Sequence, residues 1–151
     1  MTLDDLPANQ VDAVEALLGR LKHDLGKYVS LQARWLAPDA TVAERREALA
    51  TDVLQTRRGP DGTTTAHQVW APFRAVLFGE EDLVPGVPID LSADPDVARI
   101  AQAMTALQPT VVALRSGELS DAAVEPALGH CHDVAAACRD LVRRVRALRP
   151  S

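Results

Sequence analysis

One short segment of the chain, GRLKHDLGK, combines residue types that could carry out phosphoryl chemistry. On a helix, Gly19, Arg20, Gly26 and Lys27 lie three or four positions from His23, so they share its face. Glycine costs about 1 kcal/mol relative to alanine inside a helix, but it leaves room for a large group to approach the ring. The two cations would attract an anion, and a neutral imidazole offers a nucleophilic nitrogen. This combination is typical of a histidine that accepts a phosphoryl group.

The position of His23 in the apolar pattern predicts that its ring points to solvent. Apolar residues recur every three or four positions from Val11 to Trp35, which predicts a long amphipathic helix with Asn9 as N-cap and an end before Pro38. His23 precedes the inward-facing Leu25 by two residues, so the two side chains leave the helix axis in directions about 160° apart. The alternative interpretation is a solvated, charged face on which His23 is incidental.

The pentapeptide from His23 to Lys27 resembles two families of signalling domains. It is similar to the phosphoacceptor motif His-x-Leu-Lys-Gly of histidine phosphotransfer domains and to the H-box of histidine-kinase dimerisation domains. His23 and Leu25 match both motifs, Asp24 matches the kinase motif, and Gly26 and Lys27 stand in inverted order relative to the phosphotransfer motif. The resemblance implies a helical bundle with His23 as the phosphoacceptor.

The same resemblance implies roles for the neighbouring residues and a class of partner. Asp24 would orient the ring or accept a proton, and Lys27 and Arg20 would assist electrostatically. The partner, a receiver domain or a histidine kinase, would contact residues on the same stretch of helix, namely Gly19, Arg20, Gly26 and Ser30. A homodimer is compatible with the dimerisation-domain resemblance.

The rest of the sequence predicts a phosphotransfer intermediate or an adaptor rather than a stand-alone enzyme. The chain has no Gly-x-x-x-x-Gly-Lys-Ser/Thr phosphate loop, so another protein would supply the phosphate, and no cofactor is predicted. Two alternatives remain. One is a non-catalytic helical adaptor that only docks a partner. The other is an HD-type metal-dependent phosphohydrolase, whose His-Asp signature His23 and Asp24 resemble, although that family needs an upstream histidine and none precedes His23.

Three other segments are candidate sites with simpler explanations. His130, Cys131 and His132 are consecutive, and residues 100° apart on a helix cannot converge on one metal ion, so no metal site is predicted. The loop 57–65, RRGPDGTTT, could cradle a phosphate but has the composition of a solvated turn. The arginines near the C-terminus complement the helix dipole, or else meet an acidic partner.

Composition favours an all-α protein. Hydrophobic residues make up 47% of the 151 residues and aromatic residues only 3%, so the core must be built from Leu, Val and Ala. The net charge of −5 argues against nucleic-acid binding, and no apolar run is long enough to cross a membrane. The N-terminus lacks a signal-peptide pattern, which with two separate, reduced cysteines predicts a cytoplasmic protein.

The chain is predicted to form one domain over residues 1–151. Four further helices are expected after the first, so that the fold is a bundle of four to five helices whose first and last members are long. These helices are predicted over residues 42–56, 66–78, 95–116 and 121–148, where apolar residues recur at helical spacing. Thr41 and Glu44 have the spacing of a capping box, Asp94 before Pro95 is a predicted helix cap, and Gly117 is a predicted helix end. Residues 79–94, which are rich in proline and glycine, are predicted to form an irregular connection.

Overall fold

The computed structural model describes residues 1–29, 37–56 and 63–149, and these form a helical bundle. The all-α prediction is confirmed, including the long first and last helices. No helix in these residues combines the length and apolar character needed to cross a membrane. The helices are α1 (Val11–Val29), α2 (Val42–Val53), α3 (Ala66–Leu77), α4 (Pro95–Ser116) and α5 (Asp121–Ala147).

The helix α5 is the central element, because it packs along both α1 and α4. The apolar stripes predicted from the heptad-like spacing face the resulting core. The buried members of the stripes on α1 and α5 include Val14, Leu18, Leu21, Leu25, Val124, Leu128, Val134, Leu141 and Val145. Burial at about 25 cal/mol per Å² of apolar surface is the main force that holds these helices together.

A small antiparallel sheet replaces the end of the second predicted helix. The strands β1 (Leu54–Thr56) and β2 (Thr63–Thr65) pair with Leu54 opposite Thr65 and Thr56 opposite Thr63. The prediction that helix 42–56 reaches Thr56 is therefore wrong, as is the prediction that residues 63–65 belong to a loop. β-Branched threonine packs well on a pleated surface, and the run of three threonines was the available sign of a strand.

The capping residues set most helix boundaries as predicted. Thr41 and Glu44 form a capping box at the start of α2, and Asp94 accepts hydrogen bonds from backbone N–H groups at the start of α4. Gly117 ends α4 with φ +71°. The prediction of Asn9 as an N-cap is wrong, because residues Ala8–Gln10 form a 3₁₀ turn that continues directly into α1.

The irregular segment 79–94 is anchored on the bundle. Ile89 and Leu91 are buried, and the Leu91 N–H donates to the Leu77 carbonyl at 2.6 Å. Gly79 permits this return, since it has φ +75° and an added Cβ would lie 3.0 Å from the Ile89 carbonyl oxygen. The segment is therefore an extended cover over the core rather than a free linker.

A buried carboxylate ties the N-terminus to the bundle. Asp94, fully buried, accepts from the Leu3 N–H at 2.8 Å and from two guanidinium nitrogens of Arg144, at 2.9 and 2.8 Å. Arg144 also donates to Asp96 at 2.8 Å. This network joins the N-terminal residues, the start of α4 and the last third of α5.

Candidate functional site

His23 lies beyond the midpoint of α1 and its side chain is exposed, as the sequence predicted. It borders a groove of about 540 Å³ between α1 and α5, which we call the α1–α5 groove. The walls of the groove are Gly19, Lys22, His23, Gly26, Lys27 and Val29 on α1, and Val134, Ala135, Cys138, Arg139, Val142 and Arg146 on α5.

The α1 wall is open because two of its residues have no side chain. Gly19 and Gly26 lie two helical turns apart, on either side of His23. A Cβ placed at either glycine would meet no neighbouring atom within 4 Å, so neither glycine is required by close packing inside the fold. The folded protein thus leaves space on both sides of the imidazole.

The charged side chains that line the α1–α5 groove within the described part of the chain are all cationic. Lys22 and Lys27 are the only lysines of the chain, and both border the groove. Together with Arg139, they make no ion pair with any residue that the structure describes. Arg146, the remaining cation, pairs with Glu15 at 3.3 Å. A protein with a net charge of −5 therefore concentrates unpaired positive charge in one groove.

Most arginines in the described chain are neutralised by carboxylates. These ion-paired residues are Arg45, Arg46, Arg74, Arg99, Arg143, Arg144, Arg146 and Arg149. Four of these ion-paired arginines lie at or beyond position 143. The arginines near the C-terminus, which the sequence predicted to complement the helix dipole or to meet an acidic partner, are thus mostly paired with carboxylates of the same chain. Of the five described lysines and arginines without an ion pair, three border the groove, and the other two are Arg20 and Arg115.

The floor of the groove is apolar and chemically inert. It is formed by Val134, Ala135, Cys138 and Val142, all of them buried. Burial raises the pKa of the Cys138 thiol to about 12, although the charge of Lys22 acts in the opposite direction. The thiol is therefore protonated at neutral pH, which leaves His23 as the nucleophile of the groove.

Two residues predicted to assist His23 lie on another side of α1. Arg20 and Asp24 line a second groove, of about 440 Å³, that α1 forms with α3. The Arg20 guanidinium carbon lies 5.9 Å from the centroid of the Phe73 ring, a distance at which a cation–π contact is favourable. The structure thus brings together His23, Lys27, Gly19 and Gly26, but places Arg20 and Asp24 apart from the groove. Ser30 lies outside the described residues.

Sequence reasoning missed Lys22 and Arg139. Lys22 is adjacent to His23 in sequence, and helical spacing of three and four did not select it. Arg139 is brought to the groove that His23 borders only by the packing of α5 on α1. A signal for Lys22 was its rarity, since both lysines of the chain fall within six residues of each other.

The structure supports no ligand site at the other candidate segments, as far as their residues are described. Among the described residues, no group of three or more His, Cys, Asp or Glu could hold a metal ion. Residues 57–62 of the predicted loop lie outside the described residues, while Thr65 serves as the N-cap of α3. His67 donates from Nε2 to the Met104 carbonyl at 2.6 Å.

The α1–α5 groove is therefore suited to holding an anion beside an exposed imidazole, above an apolar floor. Both cysteines are free and buried, in agreement with their predicted reduced state. Comparison with known proteins adds no further assignment: no protein-family model matches the chain, and neither a curated protein nor a solved structure matches it.

Proposed function

We propose that this chain is a phosphotransfer protein in which His23 accepts a phosphoryl group from one partner and passes it to another. The observation that carries the proposal is the setting of His23. Its exposed imidazole borders a groove whose charged lining residues, among those the structure describes, are all cationic, and it lies between two glycines that leave space beside the ring. Access, positive charge and a nucleophilic nitrogen are the three requirements of a phosphoryl acceptor.

The proposed step is a displacement at phosphorus. The lone pair of the unprotonated ring nitrogen of His23 attacks the phosphorus of an acyl phosphate, and an N–P bond forms. The P–O bond to the acyl group breaks, and the carboxylate leaves with the bonding electron pair. The ring keeps its N–H proton as a phosphoimidazolium. Transfer to a carboxylate of the next partner is the reverse of this step.

The neighbouring cations would stabilise the charge on the transferring group. Lys22 and Lys27 on α1 and Arg139 on α5 flank the groove without ion pairs to described residues, so they are available to phosphate oxygens. Gly19 and Gly26 would admit the donor. Arg20 and Asp24 have no part in the proposed step, because they line the groove between α1 and α3.

The test is phosphorylation by a small donor. The protein is incubated with acetyl phosphate and Mg²⁺, and the adduct is measured by intact-mass spectrometry before and after treatment with acid. We expect an acid-labile gain of one phosphoryl group that His23→Gln abolishes and His132→Gln, at an exposed position on α5, leaves intact. The Lys22→Ala, Lys27→Ala double variant should form the adduct about fivefold more slowly, equivalent to about 1 kcal/mol.

Three outcomes would overturn the proposal. One is the lack of an adduct with acetyl phosphate and with phosphoramidate. Another is an adduct that survives in the His23→Gln variant. The third is hydrolysis of nucleotides by the protein, dependent on added divalent metal and on both His23 and Asp24, which would instead support the phosphohydrolase alternative.

A further inference from the structure

We propose that the α1–α5 groove is the docking site for an acidic amphipathic helix of a partner protein. This inference rests on the proposed function in assigning the partner to the same groove, but it does not require phosphoryl transfer to occur. It commits to a helix whose apolar stripe faces the floor of the groove and whose carboxylates lie along both of its edges.

The shape of the groove favours a helix as the occupant. The α1 wall is low at Gly19 and Gly26, which are about 10.5 Å apart along the helix axis, and the facing wall includes Ala135. Small residues let a third helix approach to the interaxial distance of about 8–10 Å at which helices pack. An extended peptide is disfavoured, because the backbone groups of α1 and α5 are engaged within their own helices and offer no ladder for it.

The floor of the groove supplies the apolar half of the contact. Val134, Cys138 and Val142 follow one another at four-residue spacing along α5, which gives a continuous apolar line of about 12 Å. An occupant of two to three turns with apolar residues at helical spacing would cover this line. Its polar face would then remain in solvent.

The charges at the two edges define the chemistry of the partner. Lys22 and Lys27 stand on the α1 edge, and Arg139 and Arg146 stand two turns apart on the α5 edge. No carboxylate is among the described residues that line the groove. Among the described residues, only Arg146 of these four already has a carboxylate partner, Glu15. A partner with Glu or Asp on both sides of its apolar stripe would pair with the other three cations, whereas a neutral helix would leave them unpaired.

The same charges disfavour a second copy of this chain as the occupant. In a symmetric dimer through the groove, Lys22, Lys27 and Arg139 of one copy would face the same three cations of the other. Like charges brought together cost free energy, and no carboxylate among the described groove residues offsets them. The occupant is therefore expected to be a different protein segment.

The test uses a designed peptide and the His23→Gln variant of the 151-residue chain, so that binding is separated from phosphorylation. The probe is a fluorescein-labelled helix of about 18 residues with a leucine stripe flanked on both sides by glutamate. Its matched control has glutamine in place of every glutamate. Fluorescence anisotropy should show saturable binding of the glutamate peptide, at least tenfold tighter than that of the control and weakened by added salt.

Protein variants locate the binding. Lys22→Glu combined with Arg139→Glu should weaken binding at least tenfold. Arg115→Glu, at an exposed arginine of α4 that has no ion pair with described residues, should change it less than twofold. Gly26→Trp should fill the groove and abolish binding, whereas Gly129→Trp, at a helical glycine outside the groove, should not. Thermal unfolding of each variant confirms that it is folded.

Several results would overturn the inference. Binding of the glutamine peptide as tight as that of the glutamate peptide contradicts it, and so does a loss of binding in the Arg115→Glu variant as large as that in the Lys22→Glu, Arg139→Glu variant. A lack of binding up to about 1 mM peptide, a limit that corresponds to a binding free energy of about 4 kcal/mol, also contradicts it. Binding of oleate but not of the peptide, with the same dependence on Lys22 and Arg139, would show a small amphiphile to be the occupant. A dimer in sedimentation that dissociates in the Lys22→Glu, Arg139→Glu variant would show a second copy. Since binding is measured on the His23→Gln protein, neither its success nor its failure depends on the phosphorylation experiment.

Discussion

The helix α5 carries arginines in two contrasting settings. Arg144 is bound to the buried carboxylate of Asp94 and to Asp96, with nitrogen–oxygen distances of 2.8 Å to each. Arg139, five positions earlier, is exposed at the α1–α5 groove and has no ion pair with a described residue. One helix thus presents a neutralised cation towards α4 and an unneutralised cation towards α1.

The difference separates structural charge from charge that is available to a ligand. The hydrogen bond to Asp94 raises the pKa of Arg144. Burial alone would raise the pKa of Asp94, but hydrogen bonds from Arg144 and from the backbone of Leu3 and Asp96 outweigh burial and lower it. Each partner of this network is held in its charged form by the other. Three of the groove cations, Lys22, Lys27 and Arg139, lack such partners among the described residues, so they are available to pair with an incoming anion.

The largest expected effect is on the free energy of unfolding, when Asp94, the buried partner of Arg144, is replaced. Asp94→Ala leaves Arg144 without its buried partner and removes the acceptor for the Leu3 N–H, so it should lower the free energy of unfolding by about 3 kcal/mol. Urea unfolding followed by circular dichroism measures the change. Formation of the His23 adduct by the folded fraction should be unaltered.

The control for this prediction is Asp140→Ala. Asp140 pairs with Arg99 and Arg143 at a partly exposed position, where an ion pair contributes less than about 1 kcal/mol. A pH series gives a second check. Because the pKa of Asp94 is lowered in the folded state, its stabilising contribution is present above the ordinary carboxyl value of 3.8 and is lost as the pH falls below it. Equal losses in both variants, or an acid dependence that Asp94→Ala leaves unchanged, would contradict the structural role assigned to the network.

A smaller change in the free energy of unfolding, of opposite sign, is expected when the two glycines that border the groove are replaced. Gly19→Leu and Gly26→Leu should each raise the free energy of unfolding by about 0.5–1 kcal/mol, because leucine is a better helix former and the space at each glycine is open. The same side chains would crowd His23, so the rate of adduct formation with acetyl phosphate should fall about fivefold. Urea unfolding and mass spectrometry measure the two quantities.

Gly129→Leu is the matched substitution. Gly129 lies in α5, has equally open space at its Cβ, and does not line the groove. It should give a similar gain in stability with no change in the rate at His23. If all three variants slow the reaction equally, or none does, the glycines do not serve access to the imidazole.

The smallest effect on the reaction at His23 is expected from the cysteines, because both thiols are buried and protonated. Burial raises the pKa of Cys131 and of Cys138 to about 12, so at pH 8 only about one thiol in ten thousand is ionised. Reaction with a thiol-specific disulfide reagent should be at least 100-fold slower in the native protein than in urea. Absorbance of the released thiolate measures the rates.

Cys138 sharpens the comparison because it lies in the floor of the groove, while Cys131 does not line it. Cys138→Ser should leave the rate of His23 phosphorylation within twofold of the unsubstituted protein. A native Cys138 that reacts rapidly at pH 8 would show that the floor of the groove is open to solvent and that the nucleophile of the groove need not be His23.

Local sequence signals were reliable where the structure depends on local contacts. The spacing of apolar residues predicted the buried stripes of α1, α4 and α5, and the cap at Asp94 and the glycine at Gly117 predicted the ends of α4. The end of α2 and the strand β2 were mispredicted, because pairing of Leu54 with Thr65 overrode the helical tendency of the preceding residues. Strand pairing joins residues distant in sequence, which periodicity within one segment does not report.

The same division applies to the candidate site. The sequence by itself determined that His23 is exposed, because its angular distance from the buried Leu25 is a property of one helix. Only the tertiary structure decided which charges surround the ring. Packing of α5 against α1 brought Arg139 to the groove, while packing of α3 drew Arg20 onto Phe73. A helix fixes the direction in which each side chain leaves its axis, but the neighbours met in that direction depend on how the helices pack.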